Sequence, residues 1–361
     1  VWIEERTLEF EMARKILVLG ASYGSLFATK LLMAGHDVTL VCRQATAHLI
    51  NTEGTEVRLT LKGETTARRI RSKDLKGRLD AKTPEQVKAD TYDLAVLAMQ
   101  EPQYLDRSVR ALVNAIADAR VPCLSLMNMP PLPYLKRIKE IDPVAIEAAY
   151  TDPKIWSRFD PELVTLCSPD PQAVRPPDEP ANVLAVNLPT NFKAATFASE
   201  QHTALLRELE ADIDAVTLDG KDVPVKLRVS DSLFVPFAKW AMLLTGNCRC
   251  VTAGQAISIR DAVQRDVATS KEIYETVQRI VTSLGGDDNA RVDFDKYVTA
   301  TDKLVRPSSL ARALANGAKA VERIDKLVQL VGRNCGIQHP AIDRTVRVID
   351  AALERTRLSA A

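Results

Sequence analysis

No apolar run in this sequence reaches the roughly 18 residues that a membrane-spanning helix needs. Neither sign of charge is in surplus. Lys and Arg number 48 against 47 Asp and Glu, a net charge of +1, which excludes the globally basic surface of a nucleic-acid or anionic-membrane binder. Histidine occurs four times, as His36, His48, His202 and His339. Of the six cysteines (Cys42, Cys123, Cys167, Cys248, Cys250 and Cys335) only Cys248 and Cys250 are close. A C-x-C pair with no nearby His or second pair is too little for a metal site. Reduced, mostly buried thiols in a cytoplasmic protein are the expectation. Val1 to Glu11 carries Glu4, Glu5, Glu9 and Glu11, whereas a secretory signal has a basic start and an apolar middle. Met12 offers an alternative start, so residues 1–11 are set aside from the fold. No internal repeat or low-complexity tract is present.

What is there is ordinary in composition and specific in pattern. A chain of 361 residues, 46% apolar and 26% charged, is long enough for more than one domain. Lys15-Ile16-Leu17-Val18-Leu19 reads as a strand buried on both faces. The Gly-rich turn from Gly20 to Ser25 leads into Leu26 to Ala34, which sets Phe27, Leu31 and Ala34 on one helical face before Gly35 ends it. Asp37 to Cys42 is a second strand. Strand, turn, helix and strand in under thirty residues make a βαβ unit with an expected right-handed crossover. Further strands are expected at Glu56–Leu61, Asp93–Met99, Val121–Met127 and Asn182–Leu188, with a helix over Tyr104–Ala119. The cluster Pro169, Pro171, Pro176, Pro177 and Pro180 reads as a loop. The basic cluster Arg68, Arg69, Arg71, Lys73, Lys76 and Arg78 reads as a solvated face. Helical periodicity over Ala262–Leu284 and Lys319–Cys335 places a boundary near residue 225. The expected architecture is α/β: a Rossmann-type dinucleotide-binding domain over residues 12–225, followed by an all-helical substrate or dimerisation domain over 226–361.

A pyrophosphate sits where backbone N–H groups emerge from a helix N-terminus. Gly20 supplies the positive φ of the turn, Ser22 stands in the place of the second glycine with a hydroxyl to offer, and Gly24 and Ser25 are small where helix meets strand. An ordinary βα turn is the alternative. At the end of the second strand stand Cys42-Arg43-Gln44 and no carboxylate. A carboxylate there repels a ribose 2′-phosphate, whereas Arg43 can grip it with two donors, so NADPH is expected over NADH. Ligands of open α/β sheets lie beyond the C-terminal ends of the strands. That puts Met99-Gln100-Glu101-Pro102 and Asn128 in the crevice. The set expected to contact the cofactor is Gly20, Ser22, Tyr23, Gly24, Ser25, Arg43, Gln100 and Asn128.

These features resemble the ketopantoate reductase (2-dehydropantoate 2-reductase) family. The resemblance is carried by Ile16-Leu17-Val18-Leu19-Gly20, by Ala34 to Arg43, by the strand ending at Asn128, by Arg306-Pro307-Ser308-Ser309-Leu310, and by the helix running to Cys335-Gly336-Ile337 with Pro340 beyond. It implies an NADP-binding Rossmann domain and a helical domain with substrate between them. Family members reduce the ketone of a 2-oxo acid with NADPH, a lysine early in the helical domain giving the proton. Lys239 in Phe237-Ala238-Lys239-Trp240 is the match. Ser308 matches the substrate-binding serine, Asn128 orients substrate, and Asn247 is a candidate for the asparagine that assists the lysine. Two positions depart. Gln100 replaces the family's lysine near the nicotinamide. Ungapped counting from Ser308 puts Ala320 at the family's glutamate, with Glu322 two residues on, about 200° around a helix.

The reading is an NADPH-dependent 2-oxo acid reductase with Lys239, Ser308 and Asn128 as the catalytic set, no metal, a small-molecule substrate, no nucleic-acid or membrane partner, and a homodimer as an open possibility. An opine-type dehydrogenase reducing an imine is the rival enzyme, with His202 as the only histidine near a possible cleft. A catalytically weak NADP-binding sensor is the rival from another class.

Overall fold

A computed structural model describes residues 13–358; the acidic start, residues 1–11, lies outside them. The chain runs β1 Lys15–Leu19, α1 Gly24–Ala34, β2 Asp37–Val41, α2 Gln44–Glu53, β3 Glu56–Leu59, β4 Arg68–Arg71, β5 Leu79–Lys82, β6 Leu94–Leu97, α3 Arg107–Asp118 and β7 Cys123–Leu126. Two short helices, α4 Leu132–Leu135 and α5 Pro143–Ile146, precede β8 Val164–Ser168, β9 Gln172–Val174, β10 Val183–Leu188 and β11 Phe192–Ala195. Then come α6 Glu200–Asp214, a two-strand ribbon of β12 Thr217–Leu218 and β13 Lys221–Asp222, and β14 Leu227–Ser230.

The main sheet has the order β14-β11-β8-β7-β6-β1-β2-β5. From β8 to β5 the strands are parallel; β11 is antiparallel to β8, and β14 is parallel to β11. Alternation along β1 explains the layering, since successive side chains face opposite sides of a sheet. Ile16 and Val18 join Phe27, Leu31, Phe192 and Leu206 under α1 and α6. Leu17 and Leu19 join Tyr104, Leu112 and Ile116 on the other face. That second cluster continues into Phe237, Trp240, Val277 and Leu327 of the helical part, so the helices pack directly on the sheet.

The remaining elements are α7 Ala238–Met242, α8 Ile259–Gln264, α9 Val267–Ser283, α10 Phe294–Thr301, α11 Ser309–Ala315, α12 Ile324–Asn334 and α13 Pro340–Leu358. The helical part therefore begins near Val235, and the sheet runs on to Ser230; we propose the division between domains at 231–234. Three expectations need correction. The helix expected over Ala262–Leu284 is two, because Asp266 caps a new start by accepting from the Thr269 N–H at 3.0 Å. The helix expected from Lys319 begins at Ile324, after an irregular stretch in which Gly317 takes φ +80°. The proline cluster is more than a loop, because Gln172–Val174 is a strand.

That strand belongs to a second sheet, ordered β4-β3-β10-β9. β10 pairs in parallel with β3, Val183 opposite Glu56 and Ala185 opposite Arg58. The segment leaving β8 thus crosses the C-terminal edge of the main sheet to reach the hairpin after α2, and only then returns to β11. Half of the basic cluster, Arg68, Arg69 and Arg71, lies on β4 of this small sheet, where Arg68 pairs with Glu64 at 2.8 Å and Arg71 with Glu56 at 3.3 Å.

Candidate active site

Parallel strands deliver their C-terminal ends to one edge of the sheet, and each end carries a residue of interest: Gly20 after β1, Arg43 after β2, Gln100 after β6, Asn128 after β7 and Asp170 after β8. Gly20 has φ +111°, and a Cβ there would lie 2.7 Å from the Ala98 carbonyl oxygen. At Gly24 a Cβ would lie 2.7 Å from Val18 Cγ1, so α1 packs against β1 more closely than any side chain permits. No side chain caps α1, which leaves the bare turn as its N-terminus. Ser22 is exposed on that turn. The Ser25 hydroxyl instead donates to the Ala21 carbonyl at 2.6 Å and is buried. The Tyr23 hydroxyl donates to the Pro171 carbonyl at 2.6 Å, tying the turn to the segment that crosses it. Arg43 is exposed at the N-cap of α2.

On the other side of the crevice, Lys239 is set on α7 between the buried Ala238 and Trp240. The Trp240 and Phe237 rings stack at 4.1 Å and fix the helix on the core, so the lysine is presented at the edge with its side chain 20% exposed. Its ammonium donates to the Pro169 carbonyl and lies 3.8 Å from Asp170. Burial pushes the Lys239 ammonium below its ordinary value, and Asp170 and Glu322 pull it partly back. Such a group holds a proton it can surrender.

Glu322 acts on the same lysine through its charge. Its carboxyl accepts from the Glu101 N–H at 3.3 Å, and Asn128 is near enough to favour its charged form. The irregular stretch before α12 places it there, so the helix-rotation expectation does not apply: residues 316–323 are not helical. Loss of solvation pushes Glu322 up to about 7; the Glu101 N–H opposes the rise, the Glu101 carboxylate adds to it, and Asn128 and Lys239 oppose it. Glu101 is itself 1% exposed, raised by burial, and held by the Thr151 hydroxyl at 2.6 Å. Asn128 Oδ1 is buried and has no hydrogen-bond partner among the described residues.

The raised Glu322 has a consequence for stability. An unfolded glutamate ionises near 4.5, whereas the folded one keeps its proton to about 7. Its contribution is complete below 4.5 and is lost as pH rises through 7. Urea denaturation at about pH 5 and about pH 8 should show the wild type losing ~1–2 kcal/mol more than Glu322→Gln across that window. An equal loss in both proteins would contradict the assignment.

Other sequence-marked residues sit as follows. Gln100 is exposed, and its N–H donates to Gln103 Oε1 at 2.9 Å. Ser308 is 3% exposed, and its hydroxyl is committed: it donates to the Asn247 carbonyl at 2.7 Å and accepts from the Ala311 N–H at 3.2 Å as the cap of α11. Asn247 ends a π-helical turn, Leu243–Asn247, that follows α7. His202 lies near the start of α6, bound to the Ser199 hydroxyl at 2.7 Å. Because β11 runs antiparallel to β8, α6 begins at the opposite edge of the sheet, where Thr165 bonds the Ala195 and Thr196 carbonyls. Among the described residues no group of three His, Cys, Asp or Glu is placed to hold a metal ion, and no helix is long and apolar enough to cross a membrane. Asp170 and Arg175 were not marked in the sequence. Their only local signal is position, just after a buried strand run and inside a proline cluster.

Residues 16–128 match the family model described as Ketopantoate reductase PanE/ApbA. A search of curated proteins gave no match. Among solved structures, 2-dehydropantoate 2-reductase from Methylococcus capsulatus is 15% identical, covers 95% of this chain and 97% of its own, and superposes with a TM-score of 0.65. D-mandelate dehydrogenase with NADH and anilino(oxo)acetate is 15% identical over 95% of this chain and 99% of that one, TM-score 0.64. The dimeric ketopantoate reductase from Staphylococcus aureus is 12% identical, with 95% and 99% covered and a TM-score of 0.60. The resemblance read from the sequence thus holds: the segment 16–128 is similar to the ketopantoate reductase PanE/ApbA family, and the described chain shares the fold of these dehydrogenases.

Proposed function

We propose that the chain is an NADPH-dependent reductase of a small 2-oxo acid. The observation that supports it best is the convergence of Lys239, Asn128 and Glu322 at the edge of the sheet that also carries the uncapped glycine turn. The residues suit a dinucleotide: bare backbone at Gly20 and Gly24, the open N-terminus of α1 with Ser22, the cationic Arg43 where the adenosine ribose falls, and the unpartnered Asn128 Oδ1 for a hydroxyl. Bound there, a reduced nicotinamide supplies hydride to the carbonyl carbon. The chain's own part is to hold the substrate and to place a proton at the carbonyl oxygen.

Lys239 gives that proton, so the product is a 2-hydroxy acid. Burial makes the ammonium a better acid, and the neighbouring Glu322, half protonated near neutral pH, can return a proton to it. Asn128 orients the substrate. Ser308 acts in this reading by fixing α11 to the π-helical turn, since its hydroxyl has no free donor. A homodimer, as in the Staphylococcus aureus relative, and a cytoplasmic setting complete the proposal.

An opine-type reaction would use a histidine as proton carrier, and His202 is engaged at the opposite edge of the sheet. The sensor alternative rests on a missing lysine and a missing glutamate; in the proposed reading Glu322 takes the glutamate's part.

The cofactor preference is tested by isothermal titration of the protein with NADPH and NADH. NADPH is expected to bind about 10- to 100-fold more tightly, and Arg43→Ala to remove about a factor of ten of that preference. Equal or tighter NADH binding contradicts it. Consumption of NADPH with members of a 2-oxo acid series supports the reductase over the sensor, and a requirement for an added amino acid would restore the opine reading.

A further inference from the structure

The segment that crosses the crevice carries a cation whose presence the fold alone does not explain. Arg175 follows β9, and its Nη2 donates to the Ala21 carbonyl at 2.9 Å, the same oxygen that accepts from Ser25. The guanidinium therefore stands against the turn between β1 and α1. Many arginines of the chain meet carboxylates, as Arg14 does Glu208 at 2.6 Å, Arg110 Asp152 at 2.8 Å and Arg323 Asp325 at 2.9 Å, whereas Arg137, deep in the fold, spends its donors on the Val164 and Thr196 carbonyls. Among the described residues no carboxylate lies within ion-pair reach of Arg175 or of Arg43.

The charge of Arg43 reaches Arg175 as well. Loss of solvation pushes Arg175 below the usual arginine range; Cys42 opposes this and the charge of Arg43 adds to it. Cys42, next to Arg43 in the chain, is raised by burial and pulled partly back by the charge of Arg175. Two like charges held together with no carboxylate between them are costly, and an anion lodged between them reverses the sign. Their placement is not left to a floppy loop. The pairing of β10 with β3 and the bond from Tyr23 to Pro171 anchor the segment on both sides of Arg175. The adenosine ribose of a dinucleotide falls at the end of the second strand, which is where Arg43 stands.

We propose that Arg175 is a second specificity-determining ligand for the phosphate on the adenosine ribose, gripping it together with Arg43, so that the β9–β10 hairpin is part of the dinucleotide site. The proposal rests on the reading of that site as NADP-binding. Of the five guanidinium donors, one is spent on Ala21 and the others remain for phosphate oxygens, in charge-assisted bonds.

The test is isothermal titration of the full chain and of Arg175→Ala with NADPH, NADH and adenosine 2′,5′-bisphosphate. Arg175→Ala should weaken NADPH and the bisphosphate by about 10- to 100-fold and NADH by less than about threefold. Arg175→Lys should recover part of the loss. Should Arg175→Ala fail to fold, Arg175→Gln carries the same expectation, because it removes the charge and retains a donor toward Ala21. Equal weakening of NADPH and NADH would overturn the proposal by making Arg175 a brace for the turn. Unchanged binding of both would overturn it outright. A wild type that binds NADPH no better than NADH overturns the 2′-phosphate assignment for both arginines, and a wild type that binds neither overturns the dinucleotide reading itself.

Discussion

Replacing Lys239 with alanine is expected to lower turnover about 10²- to 10⁴-fold while NADPH affinity stays within about threefold of wild type. The size follows from the role. A carbonyl oxygen that receives hydride at its carbon gathers negative charge, and Lys239 is the cationic donor that Asp170 and Glu322 flank. Steady-state kinetics alone cannot separate this from a structural role, because the same ammonium bonds to the Pro169 carbonyl and so helps to hold the crossing segment. The separation comes from the pattern. A proton donor loses kcat with binding intact, whereas a brace for the segment loses NADPH affinity with kcat spared. Unchanged turnover in Lys239→Ala would remove the lysine from the mechanism.

Gly20→Ala is expected to cost about 3 kcal/mol or more in urea denaturation, against about 1 kcal/mol for Gly35→Ala. Both glycines have positive φ, +111° and +101°, so both substitutions carry backbone strain. Only Gly20 adds a collision. Its Cβ would press on a backbone carbonyl, that of Ala98, while nothing lies within 4 Å of the position at Gly35. The Ala98 carbonyl cannot swing aside, because Ala98 is held to β1 through its N–H and the Leu19 carbonyl at 2.9 Å. Displacing it would also shift the turn that faces the crevice. Equal costs at the two positions would mean that the turn relaxes freely.

How far the sequence carries can be judged from single elements. Lys15 to Cys42 was legible because everything that fixes it is local: an apolar run, two glycines with positive φ, and a second run at a fixed distance. The helical part was legible from its spacing, with one helix broken at Asp266 by a cap that competes with continuation. The short strand at Gln172–Val174 was not, because prolines flank it and its partner β10 is registered on β3, more than a hundred residues earlier. Arg175, just beyond that strand, is illegible for the same reason. The position of Glu322 is not legible because α12 starts at Ile324, five residues after the periodicity begins; in an irregular stretch a two-residue offset fixes no direction. Ser308 illustrates the converse. The resemblance implies a substrate contact, yet a serine just ahead of Ser309-Leu310-Ala311 is also a helix N-cap signal, and the hydroxyl is engaged in that way.

Transfer of deuterium from C4-deuterated NADPH to a 2-oxo acid is the most direct measurement of the central claim. The protein is mixed with the labelled cofactor and a series of 2-oxo acids, and the products are read by mass spectrometry. The account predicts a 2-hydroxy acid carrying one deuterium on C2 for at least one member, formed far more slowly by Lys239→Ala. Tight NADPH binding with no labelled hydroxy acid from any member, or label appearing only when an amino acid is added, would contradict it.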